Sequence, residues 1–300
     1  MASNQLIDNP PLKESRALEE LFRASRLYHT SQGYVELLEY IARFRDYAPF
    51  NGLLMHIQNP NLSYVASRYD WLARFNRRPK LDARPVVILK PFGPVMFLYD
   101  LRDTEGDPLP DAIMRPFDTE GLLDSGVFWN TVDNCSLHGV QVREEEHMGL
   151  LKAGKLMRLD ADVKKSYKEF QLVPTTNYLI LLNGALPLAQ RYSTLCHELG
   201  HLFCGHLGAE PKDWWEGREL QQNAAEVEAE SVAYLVCLRQ GLRLASESYL
   251  SAYRTPQNID LPEFGFDAVL QATDYIERMG KSRWKKPRKE RKERKYKLAR

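Results

Sequence analysis

The chain has 300 residues, 44% of them hydrophobic and 27% charged, with a formal net charge of +1. That length suits one large domain or two of modest size, and either can bury a core without help from disulfides. No apolar run reaches the roughly 18 residues of a membrane span, so no membrane association is expected. The N-terminal stretch MASNQLIDNPPLKESRALEE lacks a signal-like apolar segment, which points to a cytoplasmic location.

The small net charge hides an asymmetry. Residues 281–300 carry 12 Lys/Arg against 2 Glu, a net +10, which leaves −9 on the preceding 280 residues. Block charge of this kind predicts a disordered basic tail. The cysteines Cys135, Cys196, Cys204 and Cys237 form no CxxC pair, so buried free thiols are expected rather than a cysteine-only metal site.

Apolar spacing predicts helix from about Ser15 to Tyr47, broken near Gly33, then a short helix around Leu53, Leu54 and Ile57 closed by Asn59-Pro60. RPVVILKPFG reads as a buried strand because Val86 to Leu89 are continuously apolar, and PVMFLYDLRDTEG as its partner across the Pro91–Pro94 turn. Residues 103–125, rich in Pro, Asp and Gly, read as a loop or linker. HGVQVREEE and NYLILLN read as strands, the second as either an edge able to pair with an extended peptide or an interior strand. Pro187 then opens a helix to about His206, followed by helices over about 223–241 and 266–279.

The chemistry concentrates in LCHELGHLFCGHLG. His197, Glu198 and His201 form H-E-x-x-H, and on a helix positions i and i+4 share a face. Two imidazoles so placed can bind one Zn²⁺, while Glu198 activates a water on the metal as general base. A catalytic zinc needs a third protein ligand. His206 is one residue short of the spacing that would place a third histidine on the metal, and a supporting or surface role is expected for it. The following helix, NAAEVEAESVAYLVC, offers Glu226 and Glu230 on one face; Glu226 is the preferred ligand, with Glu230 orienting a histidine, or the two exchanged. Glu228 is expected to face away, and Glu228→Gln to leave zinc binding intact. Tyr249 and Tyr253 are oxyanion candidates by position alone.

The blocks NYLILLN, TLCHELGHLFCGHLG and EVEAESVAYLVC, over about residues 175–240, resemble the ImmA/IrrE family of zinc metallopeptidases. The resemblance implies a zincin-like α+β domain, a small sheet plus an HExxH helix and a glutamate-bearing helix, over residues 126–280. It implies His197, His201 and Glu226 as zinc ligands and Glu198 as base, acting on a protein or peptide substrate. Glu230 stands where relatives often carry Asn or Asp. Residues 34–100 resemble the N-terminal domain of ArdC-type antirestriction proteins, which implies a smaller α+β domain over residues 1–125 that binds single-stranded DNA. There, aromatic residues alternate with Arg68, Arg74, Arg77, Arg78 and Lys80, and Trp71 offers a stacking platform. Lys285, Lys286 and Arg288 extend the basic surface into the tail. The expected function is a zinc endopeptidase acting on a regulatory protein in a DNA-associated context. The alternative is a non-proteolytic antirestriction or strand-binding protein with a structural zinc.

Overall fold

A computed structural model describes residues 31–90, 93–108, 122–145, 153–160, 175–242 and 261–285. The first elements are helices α1 (Ser31–Arg43) and α2 (Pro49–Gln58), strand β1 (Val65–Ser67), helix α3 (Arg68–Phe75) and strands β2 (Arg77–Pro79), β3 (Val86–Lys90), β4 (Gly93–Asp100) and β5 (Thr104–Gly106). Then come α4 (Ser125–Cys135), β6 (Val140–Glu145), β7 (Gly154–Arg158), β8 (Tyr178–Asn183), α5 (Leu188–Phe203), α6 (Gln222–Arg239) and α7 (Phe266–Lys281). The architecture is α+β with small sheets. Among the described residues no helix is long and apolar enough to cross a membrane.

Helix α1 decides how the halves meet, because it is apolar on two faces. Tyr34, Leu37, Leu38, Ile41 and Ala42 enter a core shared with α5, α6 and α7. Tyr40 and Phe44 enter a second core with Met55, Leu62, Val65, Val86, Ile88 and Leu98. Helix α1 thus contributes to both cores.

The N-terminal sheet runs β1-β4-β3, all antiparallel. The apolar run of β3 is only half buried: Val86 and Ile88 point inward, whereas Leu89 is 51% exposed. Its free edge is covered by side-chain amides from α2. Gln58 exchanges hydrogen bonds with the backbone of Val87 at 2.7 and 2.8 Å, and Asn51 does the same with Leu89 at 3.0 and 2.9 Å. Two amides thus stand in for a missing strand.

The second sheet runs β6-β8-β7. NYLILLN is its interior strand, with every residue of β8 buried, parallel to β6 and antiparallel to β7. The edge beside the H-E-x-x-H helix is β7, which no apolar run announces. Helix α4 was also unanticipated; Asp124 caps it by accepting from the Gly126 N–H at 2.8 Å.

His138 sits among the rings of Phe203, Trp215 and Tyr275, and its Nε2 shares a hydrogen bond with the Tyr275 hydroxyl at 3.0 Å. Burial, with a smaller push from Lys212, lowers its pKa from the usual 6.5 to about 4. Unfolding restores the ordinary value, so this neutral histidine favours the fold above pH ~6.5, and that contribution is lost as pH falls toward ~4. It amounts to at most about 3 kcal/mol. Urea titrations of the wild type and His138→Phe should therefore diverge in slope across this pH interval, the variant being flatter; parallel curves would refute the assignment.

Candidate metal centre

Helix α5 turns one face to the core and the other to the site. Tyr192, Leu195, Cys196, Leu199, Leu202 and Phe203 are buried, which leaves His197 and His201 on the partly exposed side. Gly200 lets α6 come close. A Cβ there would lie 3.0 Å from the Ala229 Cα and 3.1 Å from the Ala229 oxygen. This glycine-on-alanine contact brings Glu226 and Glu230 to the imidazoles.

The Nε2 atoms of His197 and His201 are 3.2 Å apart, and Glu226 Oε2 lies 3.5 Å from the first and 3.6 Å from the second. Ligands at about 2.0–2.1 Å around a tetrahedral zinc are separated by about 3.3 Å, so the triangle has the size zinc requires. Without a cation, two imidazole lone pairs and a carboxylate would converge on one point. The donor set, two nitrogens and one oxygen, also fits zinc. The three side chains are 25%, 15% and 35% exposed, so the face opposite the ligands remains open.

Glu230 Oε2 lies 3.2 Å from His197 Nδ1 and backs that imidazole rather than joining the triangle. Glu198 is outside the triangle too. Its carboxyl is half-buried against β7, where the Leu156 N–H donates to it. Gly154 makes this approach possible, because a Cβ there would come within 2.4 Å of Thr194 Cγ2 and 3.4 Å of Glu198 Oε1. Burial pushes the Glu198 carboxyl above its usual value; Glu226 adds to the rise, while His197 and the Leu156 N–H oppose it. The neighbouring His201 imidazole, 3.6 Å away, holds Glu226 below the usual carboxylate range. His201 is itself pulled down by burial despite Glu226, so the pair is a neutral imidazole beside a carboxylate, which is the state a metal ligand needs.

His206 takes the supporting one of the two roles expected for it. Helix α5 ends in a Schellman turn: Gly205 has φ +82°, and the His206 N–H bonds to the His201 carbonyl at 3.0 Å. The turn folds His206 back, so that its Nδ1 lies 2.9 Å from His201 Nδ1. Its Nε2 lies 2.9 Å from Glu228 Oε2. Glu228 does face away from the ligand triangle, but it is fully buried instead of meeting solvent. Arg218, which no sequence pattern marked, grips both its oxygens at 2.8 Å. All four cysteines are free and buried, as expected.

The nucleic-acid residues fare unevenly. Trp71 is completely buried, donates its indole N–H to the Tyr99 carbonyl at 2.9 Å, and packs against Tyr64 and Phe75, so it cannot stack on a base. Tyr69, 78% exposed on the outer side of α3, is the aromatic that faces solvent. Arg77 is also spent internally, on Thr104, Gly106 and Asp107. Arg68, Arg74 and Arg78 are exposed, as is Lys285. Lys286 and Arg288 lie outside the described residues, as do Tyr249 and Tyr253. The tail does not begin at residue 281: Lys281 closes α7, and Trp284 packs on Tyr275 and donates its N–H to Asn134 Oδ1 at 2.8 Å.

Residues 135–251 match the Peptidase_M78 family model, an IrrE N-terminal-like domain. The matched segment contains β6, β7, β8, α5 and α6, and with them the whole triangle of candidate ligands. The match supports a metallopeptidase of the ImmA/IrrE kind. It does not extend to residues 34–100, where the ArdC resemblance was read. No curated protein and no solved structure matches the chain.

Proposed function

We propose that the chain is a zinc-dependent endopeptidase, with His197, His201 and Glu226 as ligands and Glu198 as general base. The observation that carries this reading is the open triangle of ligand atoms 3.2–3.6 Å apart beside a half-buried carboxylate outside it. A zinc held there would supply a water with its pKa lowered to about 7. Glu198 takes a proton and later delivers it to the leaving amine, and its burial makes it a stronger base than a solvated glutamate. The Leu156 N–H keeps one carboxylate oxygen in place. Glu230 holds His197 in the tautomer whose Nε2 points at the triangle. An extended substrate would meet the β7 edge instead of β8, which is paired on both sides. A structural zinc, the rival reading, is normally closed by four protein ligands.

Metal titration tests the ligand set. Wild-type protein is expected to hold one zinc per chain, and His197→Ala or His201→Ala to lose tight binding. Glu226→Gln should weaken zinc more than Glu230→Gln, since only Glu226 belongs to the triangle. The reverse order would move the third ligand one helical turn.

The regulatory-protein substrate, the cytoplasmic setting and single-stranded DNA contact belong to the same proposal. DNA contact rests on exposed Arg68, Arg74 and Arg78 beside Tyr69, and on the charge of residues 286–300. Deleting residues 286–300 tests the tail and spares the docked Trp284. If about half of the 9 Lys/Arg removed meet phosphates, log K should fall less steeply with log[salt] by roughly 3 units at ~0.7 per contact. An unchanged slope in anisotropy titrations would detach the tail from DNA.

A further inference from the structure

We propose that His206 and Glu228 are positioning residues, which hold His201 in its metal-binding tautomer through a relay anchored by Arg218. The inference rests on the zinc reading above. His201 points Nε2 at the ligand triangle, so in that role its proton sits on Nδ1. The atom facing that proton, 2.9 Å away, is His206 Nδ1. Only one of these two nitrogens can carry the hydrogen. If His201 donates, His206 must leave Nδ1 bare and carry its own proton on Nε2. That nitrogen is where Glu228 Oε2 waits, at 2.9 Å.

Glu228 sets the direction of the chain because it is held as an anion. Arg218 donates to both its oxygens at 2.8 Å, and the Gly265 N–H donates to Oε1 at 2.6 Å. Residue 265 is fitted to this arrangement: a Cβ there would stand 2.4 Å from Arg218 Nη2. The Glu228 side chain is 0% exposed and that of His206 6%, so solvent cannot replace either partner. His197 is backed directly by a carboxylate, whereas His201 is backed by a carboxylate acting through a second imidazole. Cys204, His206 and Glu228 could themselves be taken for a second metal site, since their ligand atoms lie within 4.8 Å of one another. The guanidinium already occupies the position a cation would take on Glu228, which favours the relay.

Two measurements test it. Long-range ¹H–¹⁵N spectra of the zinc-loaded wild type read histidine tautomers without any mutation. The expected result is His206 protonated on Nε2 and His201 on Nδ1; His206 protonated on Nδ1 overturns the relay. Zinc competition titrations then compare the wild type with His206→Leu, Glu228→Gln and the double variant. Each single change is expected to weaken zinc by roughly 10–100-fold, as losing a partner behind a ligand does. The double variant should be little worse than either, because both interrupt one chain. Unchanged affinity in folded His206→Leu, or a second zinc per chain in the wild type, would sink the relay while leaving the peptidase reading intact. A wild type that binds no zinc would sink both.

Discussion

Glu198→Gln is expected to lower peptide cleavage by roughly 10²–10⁴-fold while zinc stays bound, the usual range for losing a positioned general base. The amide keeps the size of the carboxylate, and its oxygen can still accept from the Leu156 N–H, so the packing of α5 on β7 should survive. What it loses is basicity. Because burial raises the Glu198 carboxyl, the acid limb of kcat/KM should lie above the ordinary glutamate value of 4.5, with activity falling as pH drops through it. A quenched fluorogenic peptide library, read alongside metal content, separates the outcomes. Activity within a few-fold of wild type would remove Glu198 from catalysis. Loss of zinc together with activity would make it a ligand instead.

The largest stability effect is expected at Arg239, the last residue of α6. Its side chain is 3% exposed and bonds Glu277 at 2.6 Å. The remaining donors reach the carbonyls of Ile41, Phe44, Arg45 and Tyr47 at 2.8–3.3 Å. These include the C-terminal end of α1 and the turn after it, where carbonyls lack helical partners and the helix dipole favours a cation. One guanidinium thus ties the segment shared by both cores to the helix that carries Glu226. Burial pushes Glu277 above its usual value even beside Arg239, so removing the arginine leaves that carboxyl without its donor and takes one donor from each of four carbonyls, of which Ile41 and Phe44 keep a backbone N–H. Arg239→Met should cost about 3–5 kcal/mol in urea unfolding, the range for breaking one side of a buried pair. A loss below about 1 kcal/mol would mean that water or a rearranged side chain satisfies those groups.

How much could be read in advance depended on the range of the interaction. The H-E-x-x-H helix and the run NYLILLN were plain because their signals are local: an i, i+4 repeat after a proline, and a short apolar run between turn residues. Strand β7 was invisible, since GKLMR has no apolar run or alternation strong enough to stand out; pairing with β8 makes it a strand. Trp71 misled for a related reason. An aromatic among arginines suggests a stacking surface, but α3 turns Trp71 inward and Tyr69 outward, and that rotation depends on what the helix packs against.

The sequence alone marked His197 and His201 as the candidate metal-binding pair, opened a role for Glu198 and narrowed the third position to Glu226 or Glu230, because helical periodicity places those side chains within one or two turns. The tertiary structure alone decided which glutamate enters the triangle and which one backs His197. It also decided that His206 folds onto His201, that Glu228 is buried with Arg218 and Gly265, and that α1 joins both cores. Those contacts link residues up to 198 positions apart, as between Arg239 and Ile41. Their partners are chosen by the close packing of α5 on α6 and by the αL turn at Gly205, which depend on the shape of the assembled core and leave no periodic trace in the chain.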